Sequence, residues 1–321
     1  MHLFLYGDDW VRHLSQVINT SKGHSLTSDY CEYPAINPLM LFSKVLRANV
    51  VMRVGVRPGS VGKRLFLLDS LWWLFTKIFW HKKFIYYWIG TDVLEATRDC
   101  KQGYSSFFSY AYTQSIHFSN APWLKEELSK VGIESDLVLF PVGKVPPPPS
   151  ENIEWPEAFT VVSYVPDGRH IFYGGEALVV AARKMPHIKF LIVGGIGTWL
   201  REKPANLTFL GFVKNMDEVI NRAHVVIRHV EHDAIGGTVR EGLFYARHVV
   251  YSYTIPYTLY AAWGDTDALC SAIASLYSDF TNGNLTPNVR GRDYALTEWN
   301  PSILLDRFCQ ALIDAGTSKK S

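Results

Sequence analysis

The stretch that decides the fold is AHVVIRHVEHDAIGGTVREGLFYARHVVYS, residues 223–252. Its apolar run at residues 225–227 predicts a buried parallel strand, and residues 248–251 predict the next strand. Between them lie a polar loop and a segment, ending near residue 247, that predicts a helix. A strand, a glycine-bearing loop and a helix N-terminus favour an anion site, because free N–H groups and the helix dipole point at the ligand.

The predicted anion site has a carboxylate beside it. Gly236, Gly237 and Thr238 open the helix, and Glu241 follows one turn later. Glycine lets the backbone approach a phosphate closely, and a carboxylate can accept hydrogen bonds from both hydroxyls of a ribose. The alternative for Glu241 is a solvated charge that favours the helix N-terminal region. The spacing alone leaves both interpretations open.

This segment resembles the signature of family-four glycosyltransferases, which have the GT-B fold. Asp233 is followed by seven residues, then Glu241, a Gly-Leu pair and the strand HVVYS. In the family, a second Glu holds the ribose of a sugar nucleotide, and a first Glu lies by the transferred sugar. The resemblance implies that Glu241 is the ribose ligand and that Asp233, in place of the usual Glu, is catalytic. It also implies that the diphosphate and sugar lie near Gly236, Gly237 and Thr238.

A diphosphate leaving group needs stabilisation as the glycosidic bond breaks. The resembled family usually supplies an Arg and a Lys after the first strand of its second half, but those places here hold Tyr164 and Tyr173. Arg169 and Arg228 are the predicted substitutes, because a guanidinium can fork onto a diphosphate. The alternative for each arginine is a surface charge that binds no ligand. Tyr164 and Val213 complete the predicted donor-binding positions.

Strands alternate with helices in both halves, which predicts an α/β protein of two Rossmann-like, doubly wound domains. The first domain is expected over residues 1–143, and KVPPPPS begins a stiff proline-rich linker over residues 144–153. Residues 154–299 are expected to bind the nucleotide sugar. The resemblance implies that a terminal helix within residues 300–321 returns to the first domain. Ligands of such sheets bind at the carboxyl ends of the strands, here facing a cleft between the domains.

Two other glycine-rich stretches fail as nucleotide motifs. GVRPGSVGKR, residues 55–64, lacks two residues of the Walker pattern and predicts a flexible basic loop. GGIG, residues 194–197, lacks the dinucleotide-binding spacing and predicts a tight turn lining the cleft.

The first half offers one candidate for the acceptor side. Gly90, Thr91 and Asp92 resemble a turn that faces the cleft in several members of the family. Asp92 is therefore a candidate catalytic residue that touches the acceptor. The alternative is that Asp92 caps the following helix.

Composition excludes several classes of protein. A net charge of +2 does not suggest a nucleic-acid binder, and four scattered cysteines suggest reduced cytosolic thiols. The N-terminal sequence lacks the features of a signal peptide, so a cytoplasmic location is expected. The sequence contains one Asp-x-Asp, Asp265-Thr266-Asp267, which lies just before a predicted helix and outside the predicted donor loop. We therefore expect no metal, and no cofactor besides the nucleoside diphosphate sugar that serves as donor substrate.

The most apolar helix is predicted at residues 65–80, LFLLDSLWWLFTKIFW. It is too short and too charged for a confident membrane span. Basic residues at both of its ends suit attachment of residues 63–83 to an anionic membrane surface, at the inner face of the membrane. The alternative is a core helix of the first domain.

The resemblance implies transfer of a sugar from a sugar nucleotide to a glycan or lipid-linked acceptor, as in polysaccharide biosynthesis. We expect the reaction to retain anomeric configuration and to need no metal. Two alternatives stay open: a non-catalytic partner of a true transferase, and a sugar-nucleotide epimerase or hydrolase of the same fold.

Overall fold

The computed structural model describes residues 1–21, 25–33, 37–55, 63–101, 115–141, 143 and 155–317, with the backbone alone for 63–70, 99–101 and 316–317. The predicted linker, residues 144–153, and most of the predicted basic loop, residues 56–62, lie outside the described residues. The chain divides into two compact units, Met1–Gly143 with Pro301–Ser321, and Lys144–Asn300.

The first unit contains a six-stranded parallel sheet in the order β2-β1-β3-β4-β5-β6. Its strands are β1 (His2–Gly7), β2 (Thr27–Glu32), β3 (Val50–Val54), β4 (Lys83–Trp88), β5 (Ile116–Ser119) and β6 (Asp136–Leu137). Its first helices are α1 (Trp10–Thr20), α2 (Pro38–Arg47), α3 (Lys63–Ile78), α4 (Thr91–Lys101) and α5 (Pro122–Ser129).

The second unit also contains a six-stranded parallel sheet, in the order β12-β11-β10-β7-β8-β9. Its strands are β7 (Thr160–Tyr164), β8 (Lys189–Val193), β9 (Leu207–Gly211), β10 (Val225–Arg228), β11 (His248–Tyr251) and β12 (Leu259–Tyr260). Its helices are α6 (Gly175–Lys184), α7 (Met216–Asn221), α8 (Gly237–Phe244), α9 (Thr266–Thr281) and α10 (Val289–Glu298). The last helix, α11 (Pro301–Thr317), belongs to the first unit.

The first unit packs helices on both faces of its sheet. On one face, Leu5 of β1 and Leu14 of α1 share a buried apolar cluster with Phe308 of α11. On the other face, the Trp72 ring of α3 lies edge-on to Phe84 and Tyr86 of β4. Helices on both faces of a parallel sheet are the doubly wound α/β arrangement that the sequence predicts.

In each sheet the strand order reverses beside the first strand of the unit, between β1 and β3 and between β7 and β10. Ligands of open parallel sheets bind outside the carboxyl ends of the strands at this switch point. In the second unit these carboxyl ends are Tyr164 and Arg228, two of the predicted donor-binding positions.

The structure differs locally from the sequence-based expectations. The resemblance implies a strand near residues 138–141, whereas β6 is observed at Asp136–Leu137, and the backbone N–H of Phe140 donates to the Asn120 side chain instead of to a strand. The helix predicted to residue 247 ends at Phe244, where Ala246 turns the chain with a φ of 53°. Elements β2 and α2 were not predicted. Asn37 begins α2 by accepting the N–H groups of Leu39 and Met40.

Candidate functional site

The loops that follow β7 and β10 lie side by side at the switch point of the second unit. The backbone N–H of Glu231 donates to the carbonyl of Phe172 across 2.9 Å. Gly174 has a φ of +62°, and a Cβ there would lie 2.5 Å from Cδ2 of His229. Only glycine fits this close approach without displacement, so the two loops form one packed structure.

The loop that follows β10 contains a buried ion pair. Nε of Arg228 donates to Oδ2 of Asp233 across 2.8 Å, and both side chains are largely shielded from solvent. Burial opposes the charge on Arg228, but the adjacent Asp233 outweighs it and holds the pKa of Arg228 above its ordinary value. The structure therefore joins a predicted phosphate-binding cation to the predicted catalytic carboxylate.

Two tyrosines from the end of β11 also contact Asp233. The Tyr251 hydroxyl donates to the Ala234 carbonyl and lies 3.4 Å from Oδ2 of Asp233, and the Tyr253 hydroxyl accepts the Asp233 N–H. Burial raises the pKa of Tyr251 well above its ordinary value, and Asp233 raises it further, so the hydroxyl stays a donor. The sequence analysis missed both tyrosines. The signal was the parallel pairing of β10 with β11, which sets Arg228 opposite Tyr251.

The Tyr173 ring lies between the two predicted cations. Its centroid is 4.7 Å from Cζ of Arg228 and 5.4 Å from Cζ of Arg169. Arg169 is exposed and lies closer to the Phe172 ring, at 4.1 Å. Tyr164 packs edge-on against Tyr173. The structure thus brings Arg169, Arg228 and Tyr164 together around one aromatic ring, which orients both guanidinium groups by cation–π contact.

Helix α8 begins at the ion pair. A Cβ on Gly236 would lie 2.7 Å from Oδ2 of Asp233, whereas one on Gly237 would meet no atom within 4 Å. The Gly237 backbone is exposed. The Thr238 hydroxyl is buried and makes no hydrogen bond with the described residues. The first turn of α8 therefore presents an accessible backbone next to Arg228 and Asp233.

Glu241 lies one turn further along α8 and is half-buried. Its charge is close enough to act on Tyr245. The pKa of Tyr245 is raised to about 12, first by burial, then by the charge and hydrogen bond of Asp217, and finally by Glu241. Val213 is half-buried in the segment that connects β9 to α7.

The sequence predicts a tight turn at residues 194–197, GGIG. These residues follow β8 as a bend at Gly194 and irregular backbone, and Asp167 holds them in place. The Asp167 carboxylate accepts the N–H groups of Ile196, Gly197 and Thr198 at 2.8–3.3 Å. These bonds, led by the one from Ile196, lower the pKa of Asp167. A Cβ on Gly194 would clash with the Tyr164 ring, so these residues also fix the position of that tyrosine. Sequence reasoning gave Asp167 no role.

In the first unit, Asp92 is buried at the start of α4. Its Oδ1 accepts the N–H groups of Gly90 and Val93, and its two oxygens lie 3.1 Å from the N–H of Ile89. These contacts tie the turn before α4 to the first turn of the helix, although Asp92 is the second residue of α4 and not its N-cap. Contact with an acceptor stays a prediction.

Asp8 lies at the switch point of the first sheet, between the ends of β1 and β3. Its Oδ1 accepts the Trp10 N–H, and a Cβ on Gly55 would lie 2.7 Å from its Oδ2. Burial, with smaller contributions from the charges of Asp9 and Asp92, raises the pKa of Asp8 to about 7. A carboxyl group with such a pKa can exchange protons near neutral pH.

Within the described residues, no cluster of three or more His, Cys, Asp or Glu side chains could hold a metal ion. The same part of the chain contains no helix that is both long enough and apolar enough to cross a membrane.

Solved structures with the GT-B fold match nearly the whole chain. Sucrose-phosphate synthase from Thermosynechococcus elongatus aligns with a TM-score of 0.69 at 14% identity, covering 98% of both chains. A glycosyltransferase from Rickettsia africae aligns at 0.68 and 12% identity, covering 99% of both. Anabaena HepE, solved in complex with UDP and glucose, aligns at 0.63 and 12% identity, covering 97% of this chain and 99% of its own.

These alignments confirm the predicted fold class: two Rossmann-like α/β units of the GT-B type. At 12–14% identity they establish the fold alone. No protein-family model and no curated protein sequence matches the chain.

Proposed function

We propose that this protein transfers a sugar from a nucleoside diphosphate sugar to an acceptor. The observation that carries the proposal is the segment from β10 to α8. It gathers Arg228, Asp233 and the open Gly237 backbone at the sheet's switch point, and Glu241 follows one turn later. Cations, free backbone N–H groups and a carboxylate are the groups that diphosphate and ribose require.

Each residue has a role in this proposal. Glu241 accepts hydrogen bonds from the two ribose hydroxyls, and Val213 contacts the base side of the nucleotide. The N–H groups of Gly237 and Thr238 donate to the diphosphate, together with the guanidinium groups of Arg228 and Arg169. Charge on the departing diphosphate is then stabilised by donors already in place, which is the main requirement for breaking the glycosidic bond.

Asp233 lies by the transferred sugar in this proposal, and Arg228 holds it in position. The ion pair fixes Oδ2 of Asp233, so the carboxylate can stabilise positive charge that develops at the anomeric carbon. We propose retention of anomeric configuration and no need for a divalent metal. A glycan or lipid-linked acceptor, a role in polysaccharide biosynthesis and a cytoplasmic location belong to the same proposal.

The test starts with a thermal-shift screen against a panel of nucleoside diphosphate sugars. Donors that raise the melting temperature are then incubated with candidate acceptors, and proton NMR identifies the anomer of the product. Activity measured in EDTA tests whether the reaction needs a divalent metal. Transfer with retention in EDTA is the expected result. An inverted product, or loss of turnover in EDTA that Mg²⁺ or Mn²⁺ restores, contradicts the proposed mechanism.

One observation favours a second candidate, a non-catalytic partner of a transferase. Tyr164 and Tyr173 occupy the positions where the resembled family has its Arg and Lys, and they pack against each other. Donor binding without turnover on any acceptor supports that candidate. Release of free sugar or an epimerised donor, with no acceptor present, assigns a hydrolase or epimerase instead.

A further inference from the structure

The outer surface of α2 and α3 carries apolar side chains at positions where a solvated helix carries polar ones. The exposed members, which we call the α2–α3 face, are Leu39, Phe42, Leu46, Leu74, Ile78 and Trp80. Leu39 is 83% exposed and Trp80, just beyond the end of α3, is 71% exposed. A cluster of this kind is typical of an interaction surface.

The exposed apolar residues of α2 lie on one side of the helix. Leu39, Phe42 and Leu46 are spaced by three and four residues, which places them in one stripe. Leu41 and Val45, which are buried, face the sheet instead. Leu41 and Val45 are thus sufficient to pack α2 against the sheet, and the exposed stripe is not needed for the core.

The apolar stripe on α2 packs against α3 through aromatic rings. The Phe42 ring is 6.2 Å from the Phe75 ring and 5.5 Å from the Phe79 ring. Phe75 and Phe79 are buried, whereas Leu74 and Ile78, one position before each of them, are exposed. The two helices therefore present one continuous apolar surface.

Lys82 fixes this surface in place. Its Nζ donates to the carbonyls of Leu46 and Ala48 at the end of α2, and so ties the segment after α3 to the neighbouring helix. The two helices hold their relative position through this contact and the aromatic contacts, so the apolar surface is preformed.

Basic residues predominate around the α2–α3 face. Residues 38–47 and 71–83 contain no Asp or Glu, and their basic residues are Lys44, Arg47, Lys77, Lys82 and Lys83. Asp69 lies nearer the start of α3, outside these two segments. Lys44 lies 3.8 Å from Asp29 of β2, whereas Arg47 and Lys77 are exposed. A second copy of the chain docked on this face would set two basic rims against each other, which is unfavourable.

From the apolar surface and its basic rim we propose that the α2–α3 face docks on an anionic lipid bilayer. Trp80 and the aliphatic side chains enter the interface between headgroups and acyl chains, and the exposed side chains of Arg47 and Lys77 contact the headgroup phosphates. The proposal widens the sequence-based hypothesis for residues 63–83, because α2 supplies half of the surface. It does not depend on the proposed sugar transfer.

The experiment is co-sedimentation of the full chain with phosphatidylcholine vesicles, with and without phosphatidylglycerol, at low and high salt. Binding is expected to anionic vesicles only, and salt is expected to weaken it. The apolar variant Leu39→Glu/Ile78→Glu and the charge variant Arg47→Glu/Lys77→Glu should each lower partitioning by about tenfold or more. All four side chains are exposed, so both variants should keep the parent's circular dichroism and melting temperature.

Matched controls lie elsewhere in the same unit. Ile313 of α11 is an exposed apolar residue, and Lys125 and Lys130 are exposed basic residues at α5. Ile313→Glu and Lys125→Glu/Lys130→Glu should bind vesicles like the parent. Brominated lipid should quench the tryptophan fluorescence of Trp80→Phe less than that of the parent. The proposal is overturned if the parent does not bind anionic vesicles, or if the controls lose as much binding as the variants. A lipid-free dimer that Leu39→Glu dissociates would assign the face to a second copy of the chain.

Discussion

Arg228 and Asp233 form an ion pair 2.8 Å long, five residues apart, across the loop that follows β10. Both side chains are mostly shielded from solvent, and Tyr251 lies 3.4 Å from the same carboxylate oxygen. The pair therefore serves the local fold as well as any chemistry, because neither charge is well solvated alone.

Removing either charge should destabilise the protein. Arg228→Gln leaves Asp233 without its partner, and Asp233→Asn leaves Arg228 without its own. Each should lower the free energy of unfolding by about 2–4 kcal/mol. The double variant should lose less than the sum of the two, with a coupling of at least about 1 kcal/mol. Urea denaturation of all four proteins measures the cycle, and strictly additive losses would show that the pair contributes nothing.

The contact between Gly174 and His229 should make Gly174 intolerant of a side chain. Gly174→Ala must accept a positive φ, which costs about 1–2 kcal/mol, and a clash, which adds about 1–3 kcal/mol. Gly283 is the matched control, since its φ is +70° and no atom lies within 4 Å of its ideal Cβ. Gly283→Ala should show the conformational cost alone. Equal losses in thermal unfolding would mean that the loops after β7 and β10 are not closely packed.

Asp8 should give the protein a stability that depends on pH. Its folded pKa, about 7, lies above the ordinary 3.8, so the folded state favours the protonated form. The ionised carboxyl group therefore destabilises the fold increasingly as pH rises from about 4 through 7. Asp8→Asn should raise the free energy of unfolding by about 1–3 kcal/mol at pH 8, and by little at pH 4.

Denaturation of the parent and Asp8→Asn at both pH values is the measurement, with Asp136→Asn, an exposed carboxyl group on β6 of the same unit, as the control. A gain from Asp8→Asn of equal size at pH 4 and pH 8 would exclude titration of Asp8 as its cause.

Apolar periodicity was sufficient to predict the strands and helices with a buried face. It predicts a helix from residue 175 to about residue 184 and a strand over residues 189–193, and the structure has α6 (Gly175–Lys184) and β8 (Lys189–Val193) there. It missed β2, TSDYCE, because an edge strand needs no continuous apolar run. It also missed α2, whose apolar residues face solvent as well as the sheet.

The prediction of the site was limited by contacts between distant segments and not by periodicity. Spacing along one segment indicated Asp233, Gly237 and Glu241, but contacts between segments depend on strand register. The pairing of Arg228 with Tyr251, and the Asp167 bonds to residues 196–198, join positions that are 23 or more residues apart. No local pattern in the sequence specifies such contacts.

The central claim is that Glu241 binds the ribose of a sugar nucleotide. Glu241→Gln keeps the shape of the side chain and removes its charge, and hydrogen bonds to a charged group contribute about 1.5–3 kcal/mol. Donor affinity should therefore fall by about tenfold to a hundredfold. Glu218→Gln, an exposed carboxylate on α7, is the control and should bind like the parent.

Calorimetric titration of the parent and Glu241→Gln, each with the best donor of the thermal-shift panel and with its 2′-deoxy analogue, tests this claim most directly. The parent should bind the 2′-deoxy donor weakly, and Glu241→Gln should discriminate less between the two donors. If Glu241→Gln binds the intact donor as tightly as the parent does, Glu241 is a helix-terminus charge and the claim is wrong.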